Sequence, residues 1–222
     1  MNDAIRGRLP GLPLFADLPT ESLWVLSVDA VERRFMADGY LWLEGDQRGR
    51  LDLLLDGVVQ TKRTSQGGRE FVLAHCHAGD WLDLAAGVDG GPCRSSAIAL
   101  TGGGVLSLST ASVRRGMARS SLLAQRVVDA LANEGRCLTE RVSELALLSA
   151  RARLARFLLT QAEDSAHSYR WTQEMIAAQI GSVRDVVGRL LREMSSEALL
   201  RREGPHLRVA SRSEMERVAE LA

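Results

Sequence analysis

The stretch TQEMIAAQIGSVRDVVGRLL, residues 172–191, has the pattern of two short helices joined by a tight turn. Thr172 is placed to cap the first helix, whose apolar residues Ile176 and Ala177 are spaced to face inward. Gly181 follows, and glycine can adopt the positive φ of a tight turn at no steric cost. The stretch therefore predicts a helix-turn-helix.

The second helix of this pair has one apolar and one polar face. Ser182 is predicted to cap it, with Val183, Val187, Leu190 and Leu191 supplying the buried face. The outer face near its N-terminus is predicted to hold Arg184, Asp185, Gly188 and Arg189. Arginine can bond guanine O6 and N7 bidentately, and a carboxylate can accept from cytosine N4. This pattern indicates a recognition helix that reads base edges.

The segment that follows predicts a hairpin, or wing, with a Gly204-Pro205 turn. Arg201 and Arg202 enter this wing and are predicted to lie beside the DNA backbone. Thr172 and Gln173, at the start of the first helix, complete the predicted DNA-binding set. An alternative is an ordinary pair of amphipathic helices with solvated charges.

Upstream, residues 112–149 read as helical, with apolar residues in alternating steps of three and four. These positions are Val128, Leu131, Gly135, Leu138, Val142 and Leu145. Such a seam is typical of a helix packed along a partner helix. We expect the partner to be the same helix of a second copy, and the alternative is the chain's own N-terminal domain.

The first half of the chain is rich in short apolar stretches separated by turn signals. Strands of this length at this spacing predict an antiparallel barrel or jelly roll. The expected fold is therefore α+β: a sensor β-barrel at 1–111, a long dimerisation helix at 112–149 and a winged helix-turn-helix domain at 150–222.

Composition limits the classes of function. Formal net charge is zero, which does not exclude DNA binding, because only the patch that faces phosphates must be basic. Three cysteines without CxxC spacing argue against structural zinc and suit a reducing cytoplasm. No signal peptide or spanning apolar run is visible, so we expect a cytoplasmic protein with no membrane partner. No nucleophile, base and orienting group can be placed together, so we do not expect an enzyme.

The order of barrel, long helix and winged helix-turn-helix resembles the CRP/FNR family of bacterial transcription regulators. The residues that carry the resemblance are EGD at 44–46, DGVV at 56–59, GDW at 79–81, RSSA at 94–97 and IGSVRDVVGRLL at 180–191. The resemblance implies a homodimer on double-stranded DNA, with a pseudo-palindromic operator whose TGTGA-like half-sites lie ~34 Å apart. Arg184, Asp185 and Arg189 match the family's base-reading positions, and RNA polymerase is a further implied partner.

The resemblance also bears on the ligand. Arg94 and Ser95 match the pair that holds the cyclic phosphate in the cyclic-AMP branch, but Leu84 stands where a glutamate accepts the ribose hydroxyl. Asp83 beside it would repel the phosphate. On the long helix, Leu138 and Thr139 match two adenine-contacting hydroxyl positions, so half of that pair is kept. An unmatched hydroxyl costs ~1–3 kcal/mol, so cyclic AMP is not expected to bind in the usual way.

Other effectors stay open at this level. His75 and His77 are candidate haem ligands, since some family members bind haem, although both also suit an ordinary strand end. Cys93, next to Arg94, is a candidate thiol sensor if the neighbouring charge lowers its pKa, or simply a buried residue. Another nucleotide or anion is also compatible, and so is a sensor module whose DNA binding has degenerated. The cofactor is left unknown.

Overall fold

The computed structural model describes residues 3–12, 15–163, 171–203 and 206–220. The chain divides into two units, one of Met1–Arg63 with Leu73–Arg136 and one of Thr64–Val72 with Cys137–Ala222. Helices and strands are mixed as expected, which confirms the α+β class. The division at 1–111, 112–149 and 150–222 stays a prediction.

The N-terminal barrel is built from eight strands among the described residues. In sheet order, one four-stranded sheet contains β1 (Val31–Phe35), β8 (Gly103–Ser109), β3 (Arg50–Asp56) and β6 (Trp81–Leu82). The other contains β2 (Tyr40–Trp42), β7 (Ser96–Ala99), β4 (Val59–Thr64) and β5 (Glu70–Cys76). The pairs β1–β8, β3–β8, β2–β7 and β4–β7 are antiparallel, which confirms the predicted jelly roll.

The barrel core lies between these sheets. Trp42, Val59 and Ala97 of one sheet pack in one apolar cluster with Leu54 and Val105 of the other. A second cluster joins strand leucines to the helices that cover the barrel. These helices are α1 (Asp3–Arg8), α2 (Thr20–Ser27), α3 (Leu84–Asp89) and α4 (Thr110–Arg119).

The region predicted as one helix over 112–149 is two helices, which is a correction. The chain leaves helical conformation at Ser120, where φ is −135° and ψ is 108°. The Ser120 hydroxyl then accepts the Leu123 amide at 3.3 Å, so a new helix starts here. This helix, α5, runs over Ser121–Leu147. Within the described ranges, no helix combines the length and apolarity needed to cross a bilayer.

The winged helix-turn-helix is present as predicted. It comprises α6 (Ala150–Glu163), α7 (Gln173–Ile180), α8 (Arg184–Ser196), the antiparallel pair β9 (Leu200–Glu203) and β10 (His206–Val209), and α9 (Arg212–Glu220). Its core includes the fully buried Leu154, Val187, Met194 and Met215. The predicted Gly204-Pro205 turn of the wing lies outside the described residues.

Candidate nucleic-acid interface and sensor site

The turn of the helix-turn-helix follows the sequence pattern closely. The Thr172 hydroxyl accepts the Met175 amide at 3.2 Å, which confirms the predicted cap of α7. Gly181 ends α7 in the left-handed region with φ 65° and ψ 42°. A side chain there would also be crowded, since a Cβ would lie 2.6 Å from Leu145 and 3.3 Å from Phe71. Glycine therefore suits the left-handed conformation, and a larger residue would also require the Leu145 side chain to shift.

The start of α8 differs from the prediction. Ser182 does not cap the helix: Val183 occupies the cap position in extended conformation, and its side chain makes no capping hydrogen bond. Val183 is not part of the buried face either, because 46% of its surface is exposed. The Gly181 bend places the first helical residue at Arg184, two positions beyond Ser182. Val187, Leu190 and Leu191 are buried as expected.

The predicted reading residues lie at the exposed beginning of α8. Arg184 and Asp185 occupy its first turn, and Arg189 follows four residues after Asp185. The Arg189 guanidinium bonds Glu193 at 2.9 Å. No ion pair joins Arg184 or Asp185 to another described residue. Glu193 was missed by the sequence analysis, although its i,i+4 spacing from Arg189 is a readable signal.

Gly188 is buried and not on the outer face where it was predicted to lie, and its part in DNA binding stays a prediction. It is buried where α8 crosses the start of α7. A Cβ at this position would lie 2.9 Å from Oε1 of Gln173. Because that atom ends a flexible side chain, a larger residue at position 188 would require the Gln173 side chain to move aside. Gln173 itself is exposed.

The other predicted DNA contacts are placed as follows. Thr172 and Arg201 are exposed, and Arg201 lies in β9. Arg202 follows it in the strand, but its side chain lies outside the described residues. Their contact with DNA stays a prediction.

The candidate anion site in the barrel does not bury its arginine. Arg94 is exposed, and no described residue forms an ion pair with it. Ser95 is buried, and its carbonyl accepts the Trp42 indole at 2.9 Å. The Arg48 guanidinium instead lies 4.1 Å from the centre of the Trp42 ring and bonds Asp52. Arg48, the cation that stacks on Trp42 of β2, is therefore already paired within the barrel.

Asp83 and Leu84, at the start of α3, do not provide the acceptor of a cyclic-nucleotide site. Leu84 is only 3% exposed and belongs to the apolar core, so it offers no acceptor. Asp83 has φ 52° and ψ 55°, a left-handed conformation unusual for a residue with a side chain. Its Oδ2 is buried and has no hydrogen-bond partner among the described residues. Partial desolvation, followed by the charge of Asp83, raises the pKa of Glu134.

We expect Asp83→Asn to stabilise the protein by about 1 kcal/mol at pH 7, because a buried unpaired carboxylate oxygen is costly and asparagine tolerates the left-handed region. Thermal unfolding of the variant and of Asp89→Asn, which changes an exposed acid on the same short helix, measures the difference. A lower melting temperature for Asp83→Asn would show that its charge is compensated.

Cys93 is not the thiol of lowered pKa that the neighbouring Arg94 suggested. Burial, then the hydrogen bond and charge of Asp83, raises its pKa to about 12. Arg94 does not lower this pKa because its side chain is exposed to solvent. Burial likewise raises the pKa of Cys76 to about 12. Cys137 on α5 is exposed.

These pKa values predict selective alkylation. At pH 7.5 the Cys76 and Cys93 thiols are protonated, and only the thiolate reacts. Iodoacetamide on the folded protein should label Cys137 alone, and denaturant should expose all three thiols. Peptide mass spectrometry reads the sites, and labelling of Cys93 at a rate like that of Cys137 would contradict the expectation.

The two histidines lie at the end of β5. His75 is half buried, and its Nε2 lies 3.0 Å from Gln60 Nε2. His77 is past the strand end, in a turn where its amide donates to Asp80 Oδ2 at 2.8 Å. Strand alternation therefore does not extend to His77. Among the residues that the structure describes, no three His, Cys, Asp or Glu side chains gather as metal ligands.

The two adenine-matching positions lie on the part of α5 that belongs to the second unit. Leu138 is exposed, and the Thr139 carbonyl accepts the Ser143 hydroxyl at 2.9 Å. The structure groups Asp83, Leu84, Arg94 and Ser95 in the first unit. Their joint role in ligand binding stays a prediction.

Comparison with known proteins matches both halves of the chain. Residues 32–120 match the model of the cyclic nucleotide-binding domain, and residues 152–218 match that of the Crp-like helix-turn-helix domain. The cyclic AMP receptor protein of Thermus thermophilus is 30% identical over 198 residues, covering 87% of this chain and 90% of the relative.

Two further relatives support the same architecture. A CRP-like cAMP-activated global transcriptional regulator of Mycobacterium tuberculosis is 25% identical over 190 residues, covering 82% of this chain and 84% of its own. A solved transcriptional regulator of the crp/fnr family from Eubacterium rectale is similar in fold, with a TM-score of 0.79 and 21% identity. The match covers 93% of this chain and 97% of that one.

Proposed function

Since this chain belongs to the CRP/FNR family of transcription regulators, we propose that it reads a pseudo-palindromic operator as a homodimer. The observation that carries the proposal is the polar face at the start of α8. Arg184, Asp185 and Arg189 are exposed there, while the opposite face of α8 is buried in the domain core. An exposed N-terminal turn on a rigid helix suits entry into the major groove.

The three side chains are proposed to divide the reading between them. Each arginine can take a guanine bidentately, and Asp185 can accept from the N4 amino group of cytosine. A carboxylate repels phosphate, so Asp185 is better explained by base reading than by general affinity for DNA. Glu193 restrains Arg189 before DNA arrives, which reduces the side-chain entropy lost on binding.

The homodimer is proposed from the exposed seam of α5. Val128, Leu138, Val142 and Leu145 all keep more than a third of their surface exposed. Gly135, also in the seam, has no described atom close to where a Cβ would stand, so a second backbone has room to approach. A row of exposed apolar residues on one helix is typical of an interface.

The sensor is proposed to have lost the usual cyclic-AMP site. The names of the Thermus thermophilus and Mycobacterium tuberculosis relatives refer to cyclic AMP. In this chain Leu84 is in the core, Arg94 is exposed and Asp83 leaves a buried carboxylate oxygen unpaired. These features disfavour a cyclic phosphate.

Cyclic AMP should therefore have little effect on stability. A ligand that binds the folded state raises the melting temperature in proportion to ln(1 + [L]/Kd). At ~100 μM cyclic AMP we expect a shift below about 1 °C. Differential scanning fluorimetry provides the measurement, with 5′-AMP as the matched control. A shift above about 3 °C with cyclic AMP, and none with 5′-AMP, would show that the barrel still binds cyclic AMP.

The proposed function is tested by selection from duplexes with a randomised centre. The full-length protein should enrich an inverted repeat, and binding to the enriched duplex should weaken steeply with salt because Lys and Arg contacts release counterions. Enrichment of a direct repeat, or of no motif, would overturn the proposal that a homodimer binds a pseudo-palindromic operator. Scrambled duplexes of equal composition provide the control.

A further inference from the structure

The turn of the helix-turn-helix is held by arginines. Three successive backbone carbonyls at the end of α7 each accept from an arginine of a different element. The pairs are Gln179 with Arg141 of α5 at 3.4 Å, Ile180 with Arg153 of α6 at 2.7 Å, and Gly181 with Arg69 at 2.7 Å. The last carbonyls of a helix have no partner inside the helix, and cations near them are favoured.

Arg69 differs from the other two because it comes from the sensor's strands. It lies in the turn between β4 and β5, and residues 64–72, which include this turn, belong to the second unit. The turn is internally bonded: the Ser65 amide donates to the Arg69 carbonyl at 2.8 Å, and the Ser65 hydroxyl accepts the Arg69 amide at 3.0 Å. The backbone that presents the Arg69 guanidinium is therefore well defined.

Two further contacts join this hairpin to the same turn. The Phe71 ring lies against Gly181, close enough that a Cβ on the glycine would be 3.3 Å from it. Arg141 packs 5.9 Å from the centre of the Phe71 ring and also donates to the Val72 carbonyl at 3.4 Å. The hairpin thus touches the turn through a hydrogen bond, an apolar contact and a shared arginine.

The position of this contact matters because α8 begins at Arg184, three residues after Gly181. Gly181 is the bend that sets the direction of α8. The Arg69 hydrogen bond is exposed to solvent, so it contributes little to overall stability and can exchange readily. A weak contact at the start of a reading helix is suited to coupling rather than to holding the fold together.

We propose that Arg69 is a positioning residue for the recognition helix, through which the β4–β5 hairpin of the sensor is coupled to operator binding. The proposal rests on the proposed function, since it assumes that α8 reads DNA. A change in the β4 and β5 strands is transmitted by Arg69 to the Gly181 carbonyl, and from there to the first turn of α8. Coupling is reciprocal, so operator DNA must also perturb the hairpin.

Hydrogen–deuterium exchange of the full-length protein, with and without the selected operator duplex, tests this reciprocity. In the wild type, operator should change exchange in peptides covering 65–71 by about threefold or more, and Arg69→Met should reduce that change to below about 1.5-fold. Arg69→Lys, which keeps a donor, should recover part of it. Arg63→Met is the matched control, since Arg63 lies in β4 and pairs with Glu44 instead.

A merely structural role for Arg69 predicts a different pattern, in which Arg69→Met lowers the melting temperature and leaves the response of the hairpin intact. That pattern, or a wild-type hairpin that ignores operator while peptides from α8 respond, overturns the coupling and leaves the proposed function standing. Failure of the wild type to enrich or bind any operator overturns both. A response in Arg63→Met equal to that of the wild type supports the assignment to Arg69.

Discussion

Alanine at Arg184 or Arg189 is expected to weaken operator binding about ten- to a hundredfold, because each arginine is placed to bond one guanine bidentately. The loss should be confined to the selected duplex. Binding to scrambled DNA depends on phosphate contacts and should change only a few fold. Fluorescence anisotropy with the operator, and with duplexes changed at single guanines, measures both effects.

The two variants should not be equivalent. Arg189→Ala also removes the guanidinium that pairs with Glu193 and leaves this carboxylate on the recognition helix, whereas Arg184 has no ion pair with a described residue. Arg189→Ala should therefore cost more, and adding Glu193→Gln to it should recover part of the loss. Arg212→Ala is the control, because Arg212 and Glu216 form the same i,i+4 pair on α9.

Equal binding of the wild type and both alanine variants, with their folds intact by circular dichroism, would remove Arg184 and Arg189 from the reading face. Loss of discrimination at the same guanine in both variants would contradict the division of reading between them. Retained discrimination at the remaining guanine in each variant is the expected result.

Val142→Glu is expected to separate the proposed dimer and to reduce operator affinity by about a hundredfold or more. Val142 lies in the α5 seam with 64% of its surface exposed in the single chain. In a parallel pair of helices it faces its own copy, so the substitution places two carboxylates together in an apolar interface. A single subunit then binds one half-site without the avidity of two.

Sedimentation velocity gives the oligomeric state, and the anisotropy assay gives the affinity. Met36→Glu is the matched control, since Met36 is 82% exposed and lies outside the seam. A dimeric Val142→Glu protein with normal operator binding would place the interface elsewhere. Monomers that still bind the inverted repeat tightly would contradict the avidity argument.

Much of the helix-turn-helix was readable from residues 172–191. The Thr172 cap, the positive φ of Gly181 and the burial of Val187 follow from spacing and residue type. These features depend on interactions over one or two helical turns, so a short stretch of chain contains the information. Alternating apolar stretches and turns predicted the jelly roll in the same way.

The burial of side chains and the contacts between residues distant in sequence could be determined only from the folded chain. Val183 replaces Ser182 at the cap of α8 because the Gly181 bend sets where that helix begins. Arg94 beside Cys93 suggested a lowered thiol pKa, but burial and Asp83 raise it instead. Neighbours in sequence do not determine the dielectric surroundings of a side chain, since those come from every element packed around it.

The contact of Arg69 with Gly181 is the clearest example of a feature that the sequence does not predict. Arg69 and Gly181 are 112 residues apart, and neither position has a periodicity or motif that refers to the other. The motif at 172–191 predicts that the turn exists and where it bends. Which arginines bond its carbonyls depends on how α5, α6 and the β4–β5 hairpin pack, because a side chain selects among carbonyl acceptors only after the fold has brought them within reach.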